Sequence, residues 1–143
     1  MSVTVDANVL VYASNEADPA HGAARALLDR LAAGPDIVYL FWPALMGYLR
    51  IVTHAAILQR PLDFESAAVN VTALLELPHV RAPGESEGFW SVFRRTAGRH
   101  TRANTVPDAH LAALMRGHGV GTIYTRDRDF RRFDGIRVVD PFA

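Results

Sequence analysis

The sequence predicts an α/β protein with a central, mostly parallel sheet flanked by helices in a three-layer arrangement. Short β-branched or apolar runs alternate with longer segments whose apolar residues recur at helical spacing. The chain has 143 residues, of which 50% are hydrophobic, so it is long enough to bury a core as one domain over residues 1–143. No internal repeat, low-complexity tract or linker divides it.

The first half of the chain predicts two strands and four helical segments. The β-branched run near the start stops at Asp6, where helical spacing takes over. Gly34-Pro35 is a strong stop signal for the second helix, and Pro43 suits the first turn of the third. In order, the elements are a strand at 3–5, a short helix or turn at 7–12, a helix at 20–33, a strand at 37–40, a helix at 43–54 and a helix at 64–77.

The second half predicts three strands and two helices. Phe89, Trp90 and Phe93 form an aromatic stripe on the first of these helices, and Gly117 and Gly119 close the second. In order, the elements are an edge strand at 80–81, a helix at 87–99, a polar loop at 100–105, a helix at 107–116, a strand at 122–125, a turn at 127–133 and a strand at 137–139.

The composition excludes several kinds of chemistry. All 15 basic residues are arginine, and without lysine the chain lacks a P-loop, a Schiff base and a response-regulator receiver site. The absence of cysteine excludes disulfides, thiolate zinc sites and cysteine nucleophiles. Because the formal net charge is zero, any nucleic-acid binding must rest on a local patch. No apolar stretch approaches the roughly 20 residues that a membrane span needs, and we expect a cytoplasmic protein without membrane contact.

Four aspartates carry the functional signal: Asp6, Asp108, Asp127 and Asp129. Asp6 directly follows the first strand, and Asp127 lies two residues past the strand at 122–125. Ligands of parallel sheets bind beyond the carboxyl ends of the strands, so both acids emerge at one edge if these strands are neighbours. A group of acids in a partly dry site repels itself unless it holds a divalent cation.

Asp108 belongs to the same site if its side chain faces inward. It lies in the first turn of its helix, and the residues three, four and seven positions later are apolar. The carboxylate is therefore expected at the edge of the core, at the positive end of the helix dipole. Simple stabilisation of the helix N-terminus is the alternative interpretation.

The residues around the acids are open to two interpretations. Asn8 and Thr125 are suited to orient carboxylates or metal-bound water, although turn capping accounts for them equally well. Arg126 and Arg128 are candidates to bind substrate phosphate, and a solvated loop with local ion pairs is the alternative. Three further arginines at helical spacing fit either an RNA groove or a solvated helix face; they are Arg95, Arg99 and Arg102.

Three segments of the chain resemble the acidic motifs of PIN domains, and more closely those of the VapC toxin family. They are DANVL at 6–10, VPDAHLAAL at 106–114 and TRDRDF at 125–130, in the order and spacing of that family. LRIVTH at 49–54 and DPF at 140–142 are also similar. Each motif is short, but three in this order in a chain of this size are specific.

The resemblance implies a PIN fold and a Mg²⁺- or Mn²⁺-dependent ribonuclease, the toxin of a VapBC-type toxin–antitoxin system. Asp6 and Asp108 would be the main metal ligands, with Asp127 and then Asp129 completing the catalytic pocket. The family implies a homodimer, silenced by a VapB-like antitoxin whose C-terminal segment enters the active-site groove. Structured RNA, chiefly tRNA, is the implied substrate.

The chain departs from the family pattern at one position. PIN nucleases usually carry a glutamate on the helix after the second strand, and here that slot falls near Gly47. A second metal site is therefore in question, and the competing hypothesis is a catalytically weak or inactive PIN-like module that binds RNA or an antitoxin without cleavage. A haloacid-dehalogenase-type phosphatase fits less well, since it needs an aspartate where Asn8 stands.

Overall fold

The computed structural model describes residues Met1 to Ala143 and contains five strands and six α-helices. The strands are β1 (Ser2–Val5), β2 (Ile37–Tyr39), β3 (Val80–Arg81), β4 (Thr122–Tyr124) and β5 (Arg137–Val139). The helices are α1 (Ala7–Ala13), α2 (His21–Ala33), α3 (Trp42–Val52), α4 (Phe64–Leu75), α5 (Phe89–Ala97) and α6 (Thr105–Gly117). A 3-10 helix at Arg128–Arg132 precedes the last strand.

The five strands form one parallel sheet in the order β3-β2-β1-β4-β5. The chain first builds the sheet outward from β1 through β2 to β3, and then returns to add β4 on the other side of β1. The order therefore reverses between β1 and β4, and the carboxyl ends of these two strands form the crevice where such sheets bind ligands.

Alternate residues of the strands supply two separate cores, one on each face of the sheet. Val38 and Leu40 belong to a cluster of 18 buried residues that includes side chains from α1 to α4. Phe41 belongs to a second cluster of 10 buried residues, built from α6, β4 and the 3-10 helix. The side-chain period of two in a strand produces this division. The result is the predicted three-layer α/β architecture with a central sheet.

The predicted elements all form, with shifts of one or two residues at most of their ends. One of these shifts concerns α6, which begins at Thr105 rather than at Pro107. The Thr105 hydroxyl accepts a hydrogen bond from the backbone N–H of Arg102 at 2.9 Å, which supports the earlier start. Pro107 then occupies the first turn, where a backbone N–H has no helical partner to lose. No helix has the length and apolar character that crossing a membrane requires.

Candidate metal centre

The carboxyl ends of β1 and β4 lie side by side and bring the first acid to the crevice. Val5 pairs with Tyr124 in the parallel register, and the backbone N–H of Asp6 donates to the Tyr124 carbonyl at 3.0 Å. Asp6 also caps α1, because its Oδ1 accepts from the backbone N–H of Ala7 at 2.7 Å. Its backbone position is thus set by the sheet, and its side chain by the helix.

Thr125 is the hub of the site and is fully buried. Its hydroxyl donates to Asp6 Oδ2 at 2.9 Å. The same oxygen accepts from the Asn8 side-chain amide at 3.1 Å and from the backbone N–H of Asp127 at 3.0 Å. One hydroxyl therefore links β1, α1 and the loop after β4, and its single proton and its lone pairs are all used.

The hydrogen bonds of Thr125 fix the orientation of the Asn8 amide. Since the hydroxyl proton goes to Asp6, Asn8 must present its nitrogen to Thr125. The Asn8 Oδ1 atom then lies buried with no hydrogen-bond partner among residues 1–143. A buried acceptor without a partner is costly, and in native proteins such atoms usually meet water or an ion's hydration shell.

Asp108 approaches the same crevice from α6. Leu111, Ala112 and Met115 on its face are buried, so the half-buried carboxyl lies at the edge of the core as the spacing predicted. Burial, together with the nearby charges of Asp127 and Asp6, raises the pKa of Asp108 from 3.8 to about 6. At neutral pH the carboxyl group is charged, although desolvation and the repulsion of neighbouring acids both disfavour the charged form.

Three carboxylates converge closely enough to share an ion. Oxygen atoms of Asp108, Asp127 and Asp129 all lie within 4.8 Å of one another. The Asp127 Oδ1 atom also accepts from the backbone N–H of Asp129 at 2.9 Å, which caps the 3-10 helix and sets the loop. Asp6 lies outside this group of three, but its charge acts on Asp108. Burial also raises the pKa of Asp6, more than its hydrogen bonds to Thr125 and Ala7 lower it.

The three arginines near the acids have different surroundings. The Arg126 guanidinium lies over the rings of Tyr12 and Phe142, at 5.2 and 5.0 Å from their centroids. Arg128 is exposed at the start of the 3-10 helix. The basic group whose charge lowers the pKa of Asp108 is Arg132, which also donates to the Thr105 carbonyl at 3.3 Å. Nothing in the spacing of the sequence marks Arg132 for this role.

Comparison with known proteins agrees with this geometry: residues 3–136 match the PIN domain family. The chain belongs to the PIN domain family. It is 53% identical over 144 residues to Ribonuclease VapC48 of Mycobacterium tuberculosis, covering 100% of this chain and 99% of the relative. It is 36% identical to Ribonuclease VapC37 of the same species, over 97% of this chain and 96% of the relative. These matches show that the chain is a VapC ribonuclease, and therefore a nuclease of the hydrolase class.

Solved structures share the PIN fold. The Mycobacterium tuberculosis VapC20 toxin, described as cleaving the sarcin-ricin loop, aligns with a TM-score of 0.66 at 22% identity, covering 94% of this chain and 98% of that one. VapBC2 from Rickettsia felis, bound to a promoter DNA fragment, aligns with a TM-score of 0.67 at 15% identity, covering 97% and 98%. At these identities the likeness shows the fold alone.

The PIN site of this chain has no acid at the α3 position where the family usually carries glutamate. Gly47 faces α1 there, and a Cβ atom added to it would lie 3.4 Å from the Ala7 side chain. That distance is an ordinary contact, so there is room for a Cβ atom at this position. No acidic residue occurs between Asp36 and Asp63 to take the place of the glutamate.

The residues present fit a hard divalent cation. The three converging groups are all carboxylates, which Mg²⁺ and Mn²⁺ prefer over nitrogen or sulfur ligands. Magnesium keeps several of its waters, so a few protein ligands are sufficient. The buried Asn8 Oδ1 atom is free to accept a hydrogen bond from such a water. With Gly47 in place of an acid, the donor set suits one ion better than two.

Proposed function

We propose that this VapC ribonuclease is a Mg²⁺- or Mn²⁺-dependent endoribonuclease and acts as the toxin of a VapBC-type toxin–antitoxin system. The observation that carries the proposal is the approach of Asp108, Asp127 and Asp129 to within 4.8 Å at the crevice of the sheet. Desolvation and mutual repulsion oppose this grouping, as the raised pKa of Asp108 indicates. A bound cation is the simplest means of relieving both.

Each residue of the site has a role that follows from its position. Asp6, Asp108 and Asp127 would hold the ion, with Asp129 completing the pocket. When bound, a divalent ion lowers the pKa of a bound water and neutralises charge on the phosphodiester. Thr125 holds the Asp6 carboxylate in one orientation through its hydroxyl. Asn8, whose nitrogen is held by Thr125, would orient water through its free oxygen.

The substrate of the proposed reaction is structured RNA, with tRNA as the expected target. Phosphodiester hydrolysis needs cationic groups near the carboxylates to receive the substrate phosphate. Arg128 is exposed and beside the acids, and Arg132 is electrostatically coupled to Asp108. Arg126 was predicted for the same task, but its guanidinium already packs against two aromatic rings, so we expect it to stabilise the loop instead.

The proposed partner is a VapB-like antitoxin that silences a homodimeric toxin in the cytoplasm. A recess of 410 Å³ between α1, α2 and α4 is suited to an apolar segment of that antitoxin, since Leu28, Leu62 and Leu74 line it. Tyr48 and Asn70 add a polar pair there, hydrogen-bonded to each other at 3.0 Å. From this recess we expect the antitoxin's C-terminal segment to reach the carboxylates.

RNA cleavage by the partner-free protein tests the proposal. We expect total RNA to be cut when Mg²⁺ or Mn²⁺ is present, and cleavage to fall at least about a hundredfold in Asp6→Asn and in Asp108→Asn. Asp134→Asn, which removes an exposed acid outside the site, is the matched control. Equal background from all three variants and the unchanged chain, with folding intact, would reject the nuclease.

A catalytically weak PIN module is the second candidate function. The missing acid at Gly47 favours it, because fewer ligands reduce metal affinity. This alternative predicts antitoxin or RNA binding of normal strength with little cleavage at any metal concentration. A metal titration of the cleavage rate distinguishes the two, since a nuclease with a weak metal site still reaches full activity at high metal concentration, whereas the non-cleaving module does not.

A further inference from the structure

A basic segment on α5 and the loop that follows it is the most prominent surface feature without a role in the proposed metal centre. Residues 88–107 contain four arginines and no acidic residue, in a chain whose formal net charge is zero. None of the four forms an ion pair, since the ion pairs of the protein involve other residues. Arginines without an ion-pair partner create a local positive potential that favours an anionic partner. They are Arg94, Arg95, Arg99 and Arg102.

An exposed tryptophan, stacked on a partly buried phenylalanine, lies beside these arginines. Trp90 is 68% exposed, and its ring stacks on Phe93 at 5.8 Å between centroids with planes 19° apart. Trp90 lies one helical turn before Arg94, so both share the outer face of α5. A large aromatic ring left in water next to guanidinium groups is the combination on which proteins stack nucleic-acid bases.

The same surface leads toward the carboxylates. A groove of 290 Å³ runs between α5 and the start of α6, and Phe93, Arg94, Arg99 and Val106 contribute to its walls. Val106 is two residues before Asp108, so their Cα atoms are less than about 8 Å apart. The groove and the Asp108 residue therefore lie at the same, N-terminal end of α6.

We propose that Trp90, Phe93 and the arginines of α5 and of the loop after it form a substrate-binding track for a single-stranded segment of RNA, with bases stacked on Trp90 and phosphates held by Arg94, Arg95 and Arg99. The proposal rests on the ribonuclease function proposed above, because that function supplies the anionic polymer. Since bases of any kind stack on an aromatic ring, the track adds affinity and directs the strand toward the carboxylates without reading sequence.

A second copy of the chain fits this surface less well. A two-fold interface sets the same patch against itself, and would bring the unpaired arginines of both copies together. Like charges facing each other across an interface are costly. An acidic segment of a protein partner satisfies the charge but does not need an exposed tryptophan. RNA satisfies both the charge and the aromatic ring.

RNA binding measured without cleavage tests the track. The probe is a fluorescein-labelled single-stranded RNA of about 12 nucleotides, a length within the range of single-strand binding sites. It is titrated with the full chain in EDTA and followed by anisotropy at several salt concentrations. The variants are Arg94→Gln/Arg95→Gln/Arg99→Gln and, separately, Trp90→Ala. Their matched controls carry the same kinds of change at exposed sites elsewhere: Arg30→Gln/Arg60→Gln/Arg137→Gln and Phe64→Ala.

The two variants should differ in salt dependence. The triple arginine variant should bind at least about tenfold more weakly at about 0.1 M salt, and its log–log salt slope should fall by about 2, at about 0.7 for each phosphate that is no longer neutralised. Trp90→Ala should bind about 5- to 100-fold more weakly with the slope unchanged, since stacking releases no counterions. Both controls should remain within about twofold of the unchanged chain.

Several outcomes would overturn the track. Either variant binding RNA as its control does would reject that residue set. Normal RNA binding combined with abolished binding of a VapB-like antitoxin would assign the surface to a protein partner instead. Cleavage in Mn²⁺ separates this test from that of the function: an unchanged chain that binds RNA through the track but never cuts it contradicts the nuclease, whereas efficient cleavage by both variants contradicts only the track.

Discussion

Replacing Asp108 with asparagine should stabilise the metal-free protein at neutral pH. The Asp108 carboxyl is half-buried and faces two other acids, and its pKa rises from 3.8 to about 6. For an acid whose pKa is raised by folding, the native state binds the proton more tightly than the unfolded chain does. The free-energy cost is absent below about pH 4, grows as the pH rises, and is complete above about pH 6.

The size of the effect follows from that pKa. At full strength the rise corresponds to about 3 kcal/mol, and because the carboxyl is partly in contact with solvent, screening reduces it to about 1 kcal/mol. Asparagine has nearly the same shape without the charge. Asp108→Asn should therefore raise the melting temperature by about 2–5 °C for a chain of this size.

Thermal unfolding in EDTA at about pH 8 and about pH 4, on either side of the titration, measures the effect. We expect the variant to gain stability at the higher pH and to lose most of that gain at the lower, where the native carboxyl is already protonated. Adding Mg²⁺ at the higher pH should reverse the order, since only the unchanged chain gains binding energy. A variant that is less stable than the unchanged chain at the higher pH in EDTA would show that Asp108 is a structural group and is not held against repulsion.

Three further substitutions test other parts of the site and the core. Thr125→Val removes a hydroxyl that makes three hydrogen bonds, so it should destabilise the fold by about 1–3 kcal/mol and reduce RNA cleavage. Thr125→Ser keeps the hydroxyl and should retain both the stability and the cleavage rate. Melting followed by circular dichroism and cleavage rates measure these effects. Gly47→Glu restores an acid at a position with room for a Cβ atom, and it should raise Mn²⁺ affinity by about tenfold, measured by calorimetry. An unchanged affinity would show that the slot does not face the ion. Phe130→Ala removes a fully buried ring from the acidic loop and should lower the free energy of unfolding by about 3–5 kcal/mol, measured in urea. Phe64→Ala on the surface is the control. A loss below about 1 kcal/mol would contradict the anchoring of that loop by Phe130.

The sequence was sufficient for the elements and for the positions of the acids. Strand ends determine where Asp6 and Asp127 emerge, and the apolar stripe of α6 determines the direction of Asp108. These features depend on local periodicity and on a general property of parallel sheets, so a single chain reveals them. The parallel pairing of β1 with β4 was the one assumption, and the register confirms it.

The arrangement around the acids could not be predicted in the same way. The three bonds of Thr125 join three separate segments, and spacing along the chain does not specify which hydroxyl lies at their meeting point. Arg126 and Arg132 are alike in sequence context, yet one packs on aromatic rings and the other is coupled to Asp108. Long arginine side chains choose among several partners by tertiary packing.

The ranking of the acids also changes when distances are available. The sequence and its resemblance to PIN domains ranked Asp6 and Asp108 first, Asp127 next and Asp129 last. In the structure the 3-10 helix turns Asp129 back toward Asp108 and Asp127, and Asp6 is the acid outside the closest group. The assignment of all four as site residues remains a prediction.

Calorimetric titration of the partner-free protein with Mn²⁺ addresses the metal site most directly. We expect one ion per chain, with binding lost in Asp108→Asn and weakened in Asp6→Asn and Asp129→Asn. The control Asp134→Asn should bind as the unchanged chain does. Absence of binding to the unchanged chain, or equal binding by Asp108→Asn, would contradict a cation held by these carboxylates.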